Sequence, residues 1–127
     1  MSSHPLLLLE VFAQTPGSGN LLPVILDADD VSDERMALVA LRMRQSETSF
    51  VQTATDPAAS YRHRIWTVFE ELPFAGHPSV GTAVAVALSQ GASTARLVQQ
   101  TRAGTQRLDV TIAPDRRSGH AALHQAP

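Results

Sequence analysis

The chain has no cysteine. That excludes disulfides, thiolate nucleophiles and cysteine-ligated metals, although by itself it does not fix the compartment. Lysine is also missing, so all ten basic residues are arginine, and no basic run exceeds the pair Arg116-Arg117. With a formal net charge of -2, the chain lacks the electrostatic footprint of a nucleic-acid binder. Aromatics are sparse, and Tyr61 and Trp66 fall on opposite faces of one expected strand, which makes no base-stacking platform. The one leucine run, from Leu6 to Leu9, has no basic lead and ends at Glu10, far short of signal-peptide or membrane length. It reads as a first strand, and the expected setting is cytoplasmic, with no membrane and no nucleic acid as partner.

Ligand motifs are missing too. His4, His63, His77, His120 and His124 show no close metal-ligand spacing, and the glycines fit neither the dinucleotide fingerprint nor a phosphate loop ending in Gly-Lys-Ser/Thr. Neither metal nor cofactor is expected. Ser79 lies outside any Gly-x-Ser-x-Gly elbow, so its hydroxyl is cast as a hydrogen-bond partner at a helix start.

What remains is a chain of 127 residues, 43% of them hydrophobic, long enough for one domain with a real core and too short for two ordinary ones. Leu6 to Phe12 and Leu21 to Leu26 read as strands around a turn-rich loop. Ser32 can cap a helix that opens with Asp33 and Glu34, repeats Met36, Val39, Ala40 and Met43 at helical spacing, and runs to about Arg44. Thr48 to Thr53 and a half-exposed strand from Tyr61 to near Phe69 flank the polar turn Ala54 to Ser60, so a hairpin is expected. Ala95 to Gln100 and Gln106 to Ile112 predict a second hairpin, with Leu108, Val110 and Ile112 on one face. The remainder, 115 to 127, has no periodicity and is expected to be a flexible tail.

The segment Pro78 to Gln90 stands apart because apolar residues cover most of its circumference. A helix without a polar face belongs in the core, and sheet wrapped around it is the natural arrangement. Proline at its start and Gly91 after its end fit helix boundaries.

Two residues carry the candidate chemistry. Glu47, between a helix end and a strand, can project into a cleft where partial burial raises a carboxylate pKa and enables proton exchange; the plainer reading is a surface or capping glutamate. His77, between Gly76 and Pro78, is presented at a helix start whose unpaired amides suit an anion, or is simply a turn histidine. The helix dipole favours its neutral form. Of the neighbours Glu70 and Glu71, at most one can line the same cleft. Gly19-Asn20 is a common turn that can also shape a pocket.

Taken together, Glu10-Val11-Phe12, Gly19-Asn20, Val24 to Asp29, Ser46-Glu47-Thr48-Ser49-Phe50-Val51, the block from Glu71 to Ala83, and Gln100-Thr101-Arg102-Ala103-Gly104 resemble the amino-terminal half of the phenazine biosynthesis PhzF-like isomerase and epimerase family. The resemblance implies an α+β, diaminopimelate-epimerase-like domain over 1 to 114, mostly antiparallel sheet wrapped around a buried central helix. It implies Glu47 as catalytic carboxylate with His77 beside it, and Asn20, Gly76, Ser79 and Glu71 in substrate binding. The implied activity is cofactor-independent proton transfer on a small carboxylate-bearing metabolite. Because the family's cleft lies between two domains, the implied partner is a second copy or a separately encoded carboxy-terminal half. Alternatives are a homodimer with another acid-base reaction (hydration, cyclisation or hydrolysis) and a noncatalytic binding or regulatory domain. Leu21, Gly17, Val68 and Phe69-Glu70 depart from the family pattern and leave the substrate open.

Overall fold

The computed structural model describes residues 4–12 and 19–124. The strands are β1 (Leu6–Val11), β2 (Asn20–Ile25), β3 (Thr48–Gln52), β4 (Tyr61–Trp66), β5 (Glu71–Leu72), β6 (Thr94–Thr101), β7 (Gly104–Ile112) and β8 (Gly119–His124), with helices α1 (Asp33–Met43) and α2 (Gly76–Ser89). One sheet runs in the order β1-β2-β3-β4-β6-β7-β8, and β5 pairs with β4 off that path. The β2–β3 and β4–β6 pairings are parallel and the others antiparallel, so the expected α+β class and mostly antiparallel sheet are what the chain forms. Most of the loop before Asn20, including Gly17, lies outside the described residues, as do 125–127.

Helix α2 lies within the curl of the sheet. Ala83, Ala85 and Ala87 are fully buried, and Val84 and Val86 pack with Leu22, Val24, Leu97, Leu108, Val110 and Ile112. Small residues let the backbone approach the strands closely. A Cβ added at Gly81 would stand 2.6 Å from Leu22 Cδ2 and 2.8 Å from Val11 Cγ2. The helix starts two residues before the expected Pro78. Ala75 is its extended N-cap, and Pro78 falls at the third helical position, where a missing N–H breaks no helical bond. At the other end Gly91 adopts φ +70°. Its N–H donates to Leu88 O and that of Ala92 to Ala87 O, the paired bonds of a Schellman stop.

Helix α1 covers the outer face of the sheet. Ser32 Oγ accepts from the Arg35 N–H at 3.2 Å, the expected cap. Met36 then packs with Ile25, Ala28 and Phe50, and Val39 and Trp66 flank them. With α2 on one face and α1 on the other, β4 is more buried than its half-exposed reading, and it ends at Trp66, before Phe69.

The expected flexible tail is corrected in part. Gly119–His124 form β8 against β7, in register from Arg107↔His124 to Ile112↔Gly119. Ala121 enters the core. Leu123 packs beside it and His124 Nε2 lies 2.8 Å from Asp109 Oδ2 on β7, so pairing and a thin apolar face together hold the strand. Among the described residues no helix is long and apolar enough to cross a membrane.

Candidate active site

The strand register brings the dispersed motif segments to one end of the molecule. The end of β1 meets the start of β2 through Val11↔Asn20. Strand β3 starts towards the same end, parallel to β2 with Val24↔Ser49, so position 47 lies level with Leu22. Strand β4 finishes there through Thr48↔Trp66 and turns into β5 through Trp66↔Glu71. The β6–β7 hairpin tip arrives as well, since Arg102 Nη1 reaches Glu71 Oε1 at 3.3 Å. Helix α2 also points its start this way, with Gly81 against Val11 and Leu22 and the His77 ring edge-on to Phe12 at 5.5 Å between centroids.

No side chain caps α2. Because Pro78 brings no N–H, the Gly76 and His77 amides are the helical donors left at its mouth, at the positive end of the helix dipole. Among the described residues the buried His77 Nε2 atom has no hydrogen-bond partner. Such an atom is costly unless a ligand or water completes it. Glu47 is half-buried just before β3. It stands two residues before Ser49, whose hydroxyl turns towards α2. Asn20 is exposed on the same rim, and Phe12, 68% exposed, and Phe69, 92% exposed, make much of that rim apolar.

Two of the sequence-derived binding residues are engaged within the chain. Both Glu71 carboxylate oxygens accept from Arg64, which also donates to Asp33 at 2.8 Å. The Glu71 and Arg64 side chains are each 9% exposed. Hydrogen bonding to Glu71 foremost holds the Arg64 guanidinium above the ordinary arginine range, against the pull of burial and with further help from Asp33. Ser79 is fully buried. Its hydroxyl donates to Ala75 O at 2.6 Å and accepts from Gln99 Nε2 at 2.8 Å. Glu71 thus braces β5 against β4, and Ser79 braces the first turn of α2.

Sequence reasoning took His63 for an ordinary strand residue. It is 2% exposed. Its Nδ1 lies 2.9 Å from Gln99 Oε1, and its Nε2 lies 2.7 Å from Ser49 Oγ and 3.2 Å from Thr82 Oγ1. Burial pushes the imidazole down from 6.5 to about 4, partly opposed by the bond to Gln99. The available signal was a histidine on the face of Tyr61 and Ile65, both apolar-bodied; its partners, from three other elements, leave no local mark.

A separate groove of about 710 Å³ opens at the far end of α2, between Val86 to Gln90 and Pro5, Leu26, Val51 and Tyr61. It is remote from the rim bearing His77. Among the described residues, no group of three or more histidine, aspartate or glutamate side chains is placed to hold a metal ion.

A profile of the family described as phenazine biosynthesis-like protein (PhzC-PhzF) matches residues 9–127. The trans-2,3-dihydro-3-hydroxyanthranilate isomerase of Pseudomonas aeruginosa is 42% identical over 118 residues, which cover 91% of this chain and 39% of that protein. Among solved structures, one described as a predicted epimerase from Pseudomonas aeruginosa superposes with a TM-score of 0.85 at 33% identity, covering 95% of this chain and 42% of its own. A Bacillus anthracis phenazine biosynthesis protein of the PhzF family gives 0.78 at 28% identity, covering 94% and 40%. The fold expected from the resemblance is therefore the one present. The chain spans about two fifths of the length of these relatives.

Proposed function

The chain belongs to the phenazine biosynthesis-like family, and from that premise we propose that it supplies one wall of a cofactor-independent isomerase acting on a small carboxylate-bearing metabolite. The observation that carries this reading is the convergence, at one end of the sheet, of position 47 and the start of α2, which no side chain of the described residues caps.

In the proposed reaction the Glu47 carboxylate takes a proton from an activated carbon, and the electron pair moves into the adjoining unsaturated system. A proton is then delivered to a different carbon, so the product is an isomer and no co-reactant is consumed. The Gly76 and His77 amides receive the substrate carboxylate, and His77 Nε2 completes its hydrogen bonding on the ligand. Donors fixed in place before reaction stabilise developing charge without reorganising. Asn20 borders the pocket. Glu71 and Ser79 act behind it, as braces.

The rim is partly apolar through the exposed Phe12 and Phe69, and a second surface against it would exclude water and orient the substrate. A carboxy-terminal half equivalent to the remaining three fifths of the relatives' length, or a second copy of this chain, would supply that surface. Since the named Pseudomonas aeruginosa relative is an isomerase of trans-2,3-dihydro-3-hydroxyanthranilate, that compound is the first substrate to try. The test is its isomerisation by this chain alone and mixed with the carboxy-terminal half of that relative. Turnover that falls by about 10²- to 10⁴-fold in Glu47→Gln, the usual share of a positioned acid-base group, supports the proposal. Turnover indifferent to Glu47 refutes it.

A further inference from the structure

The polar network around His63 joins β3 and α2, the two elements that present Glu47 and His77. From β3, the Ser49 hydroxyl donates to His63 Nε2 two residues after Glu47, and from α2 the Thr82 hydroxyl reaches the same nitrogen five residues after His77. On the opposite edge of the ring, Nδ1–H donates to Gln99 Oε1 on β6. The Gln99 amide then donates to Ser79 Oγ and, at 2.9 Å, to Gln106 Oε1, while the Ser79 hydroxyl closes on the N-cap carbonyl of α2.

With Gln99 Oε1 facing the ring, one assignment of donors and acceptors follows. Gln99 Oε1 can only accept, so Nδ1 carries the proton and Nε2 accepts. The partners are all uncharged, and Ser49, His63, Ser79, Thr82 and Gln99 are all buried. The single lone pair of Nε2 is taken mainly by Ser49, at 2.7 Å, with Thr82 a longer second donor at 3.2 Å, and sliding the helix along the sheet breaks the Thr82–His63 and Ser79–Gln99 bonds together, a directionality that apolar packing lacks. An apolar residue at position 63 removes the tie to Thr82 and the ring that orients Gln99, leaving Ser79–Gln99 as the remaining bond of this network between helix and sheet.

We propose that His63 is a positioning residue that sets the strand carrying Glu47 against the first turns of the helix carrying His77. The inference rests on the active-site reading above for its catalytic consequence, but the geometric claim stands separately. A misplacement of about 1 Å between reacting groups costs on the order of 10²-fold in rate. His63 reaches no substrate in this scheme and acts only through the two elements it joins.

The test uses the full chain in two arms. In the first, His63→Leu and the milder Thr82→Val, which removes one hydroxyl at nearly constant volume, are compared with the unaltered chain by amide NMR. Shifts at Glu47, Gly76 and His77 in the folded variants are expected. Unmoved signals at all three in folded Thr82→Val overturn the positioning claim even if His63→Leu fails to fold. In the second, the reconstituted assembly is assayed with trans-2,3-dihydro-3-hydroxyanthranilate. We expect kcat to fall about 10- to 100-fold in His63→Leu and less in Thr82→Val, with KM changed less than about twofold. A loss confined to KM, or none in either folded variant, overturns it. If the unaltered assembly turns nothing over, the active-site reading fails in that assay, and the NMR arm alone decides whether His63 positions the rim.

Discussion

Acid should weaken this fold through His63, and the size of the effect follows from its surroundings. The imidazole is enclosed, its partners are neutral, and burial lowers it from 6.5 to about 4. Between those values the unfolded chain binds a proton that the folded chain refuses, so stability rises with pH across the window and is lost as pH falls through it. At about 1.4 kcal/mol for each pH unit of separation, the loss from about pH 7 to about pH 4 is roughly 3 kcal/mol. That is a large part of the 5–15 kcal/mol or so available to a typical domain. Urea unfolding of the unaltered chain and of His63→Gln across this range isolates the contribution, since the other titrating groups are common to both. His63→Gln should start less stable at neutrality because the network is broken, and then lose about 3 kcal/mol less on acidification. Parallel stability curves would refute the reasoning.

Two further expectations concern packing. Replacing Arg64 with Met strands the buried Glu71 carboxylate and should cost about 3–5 kcal/mol, towards the lower end because Arg102 still lies 3.3 Å from it; chemical denaturation showing a loss below about 1 kcal/mol would contradict the assigned brace. Gly81→Ala gains about 1 kcal/mol of helix propensity, yet its Cβ would press within 2.6 Å of the fully buried Leu22. Overpacking of about 1–3 kcal/mol should prevail, so a stabilised variant in the same assay would show that α2 does not sit tightly against β1 and β2.

The parts of the fold that local chemistry specifies were legible in the chain. Ser32 with Asp33 and Glu34 marks the start of α1, Gly91 marks the stop of α2, and the unbroken apolar surface of α2 requires a buried position. Strand β8 was not legible, because its inward face offers only Ala121 and Leu123 as apolar residues and its pairing with β7 is set by the tertiary fold. Nor was the burial of β4, which depends on α1 crossing its outer face. The site divides the same way. Gly76-His77-Pro78 announces a helix mouth by its own residues, whereas the pairing of Glu71 with Arg64 and of Ser79 with Gln99 joins positions that only the tertiary fold makes neighbours. His63 reads as a strand residue until Ser49, Thr82 and Gln99 are brought around it.

The central claim is that Glu47 and the start of α2 address one bound substrate together, the first at a carbon and the second at its carboxylate. The most direct measurement is a crystal structure of the chain, assembled with its covering surface, holding the acid it isomerises. The account predicts a ligand carboxylate within hydrogen-bond distance of the Gly76 and His77 amides and a Glu47 oxygen facing the carbon that gives up its proton. A ligand lodged instead in the groove beside Tyr61, or a Glu47 side chain turned away from the bound acid, would contradict it.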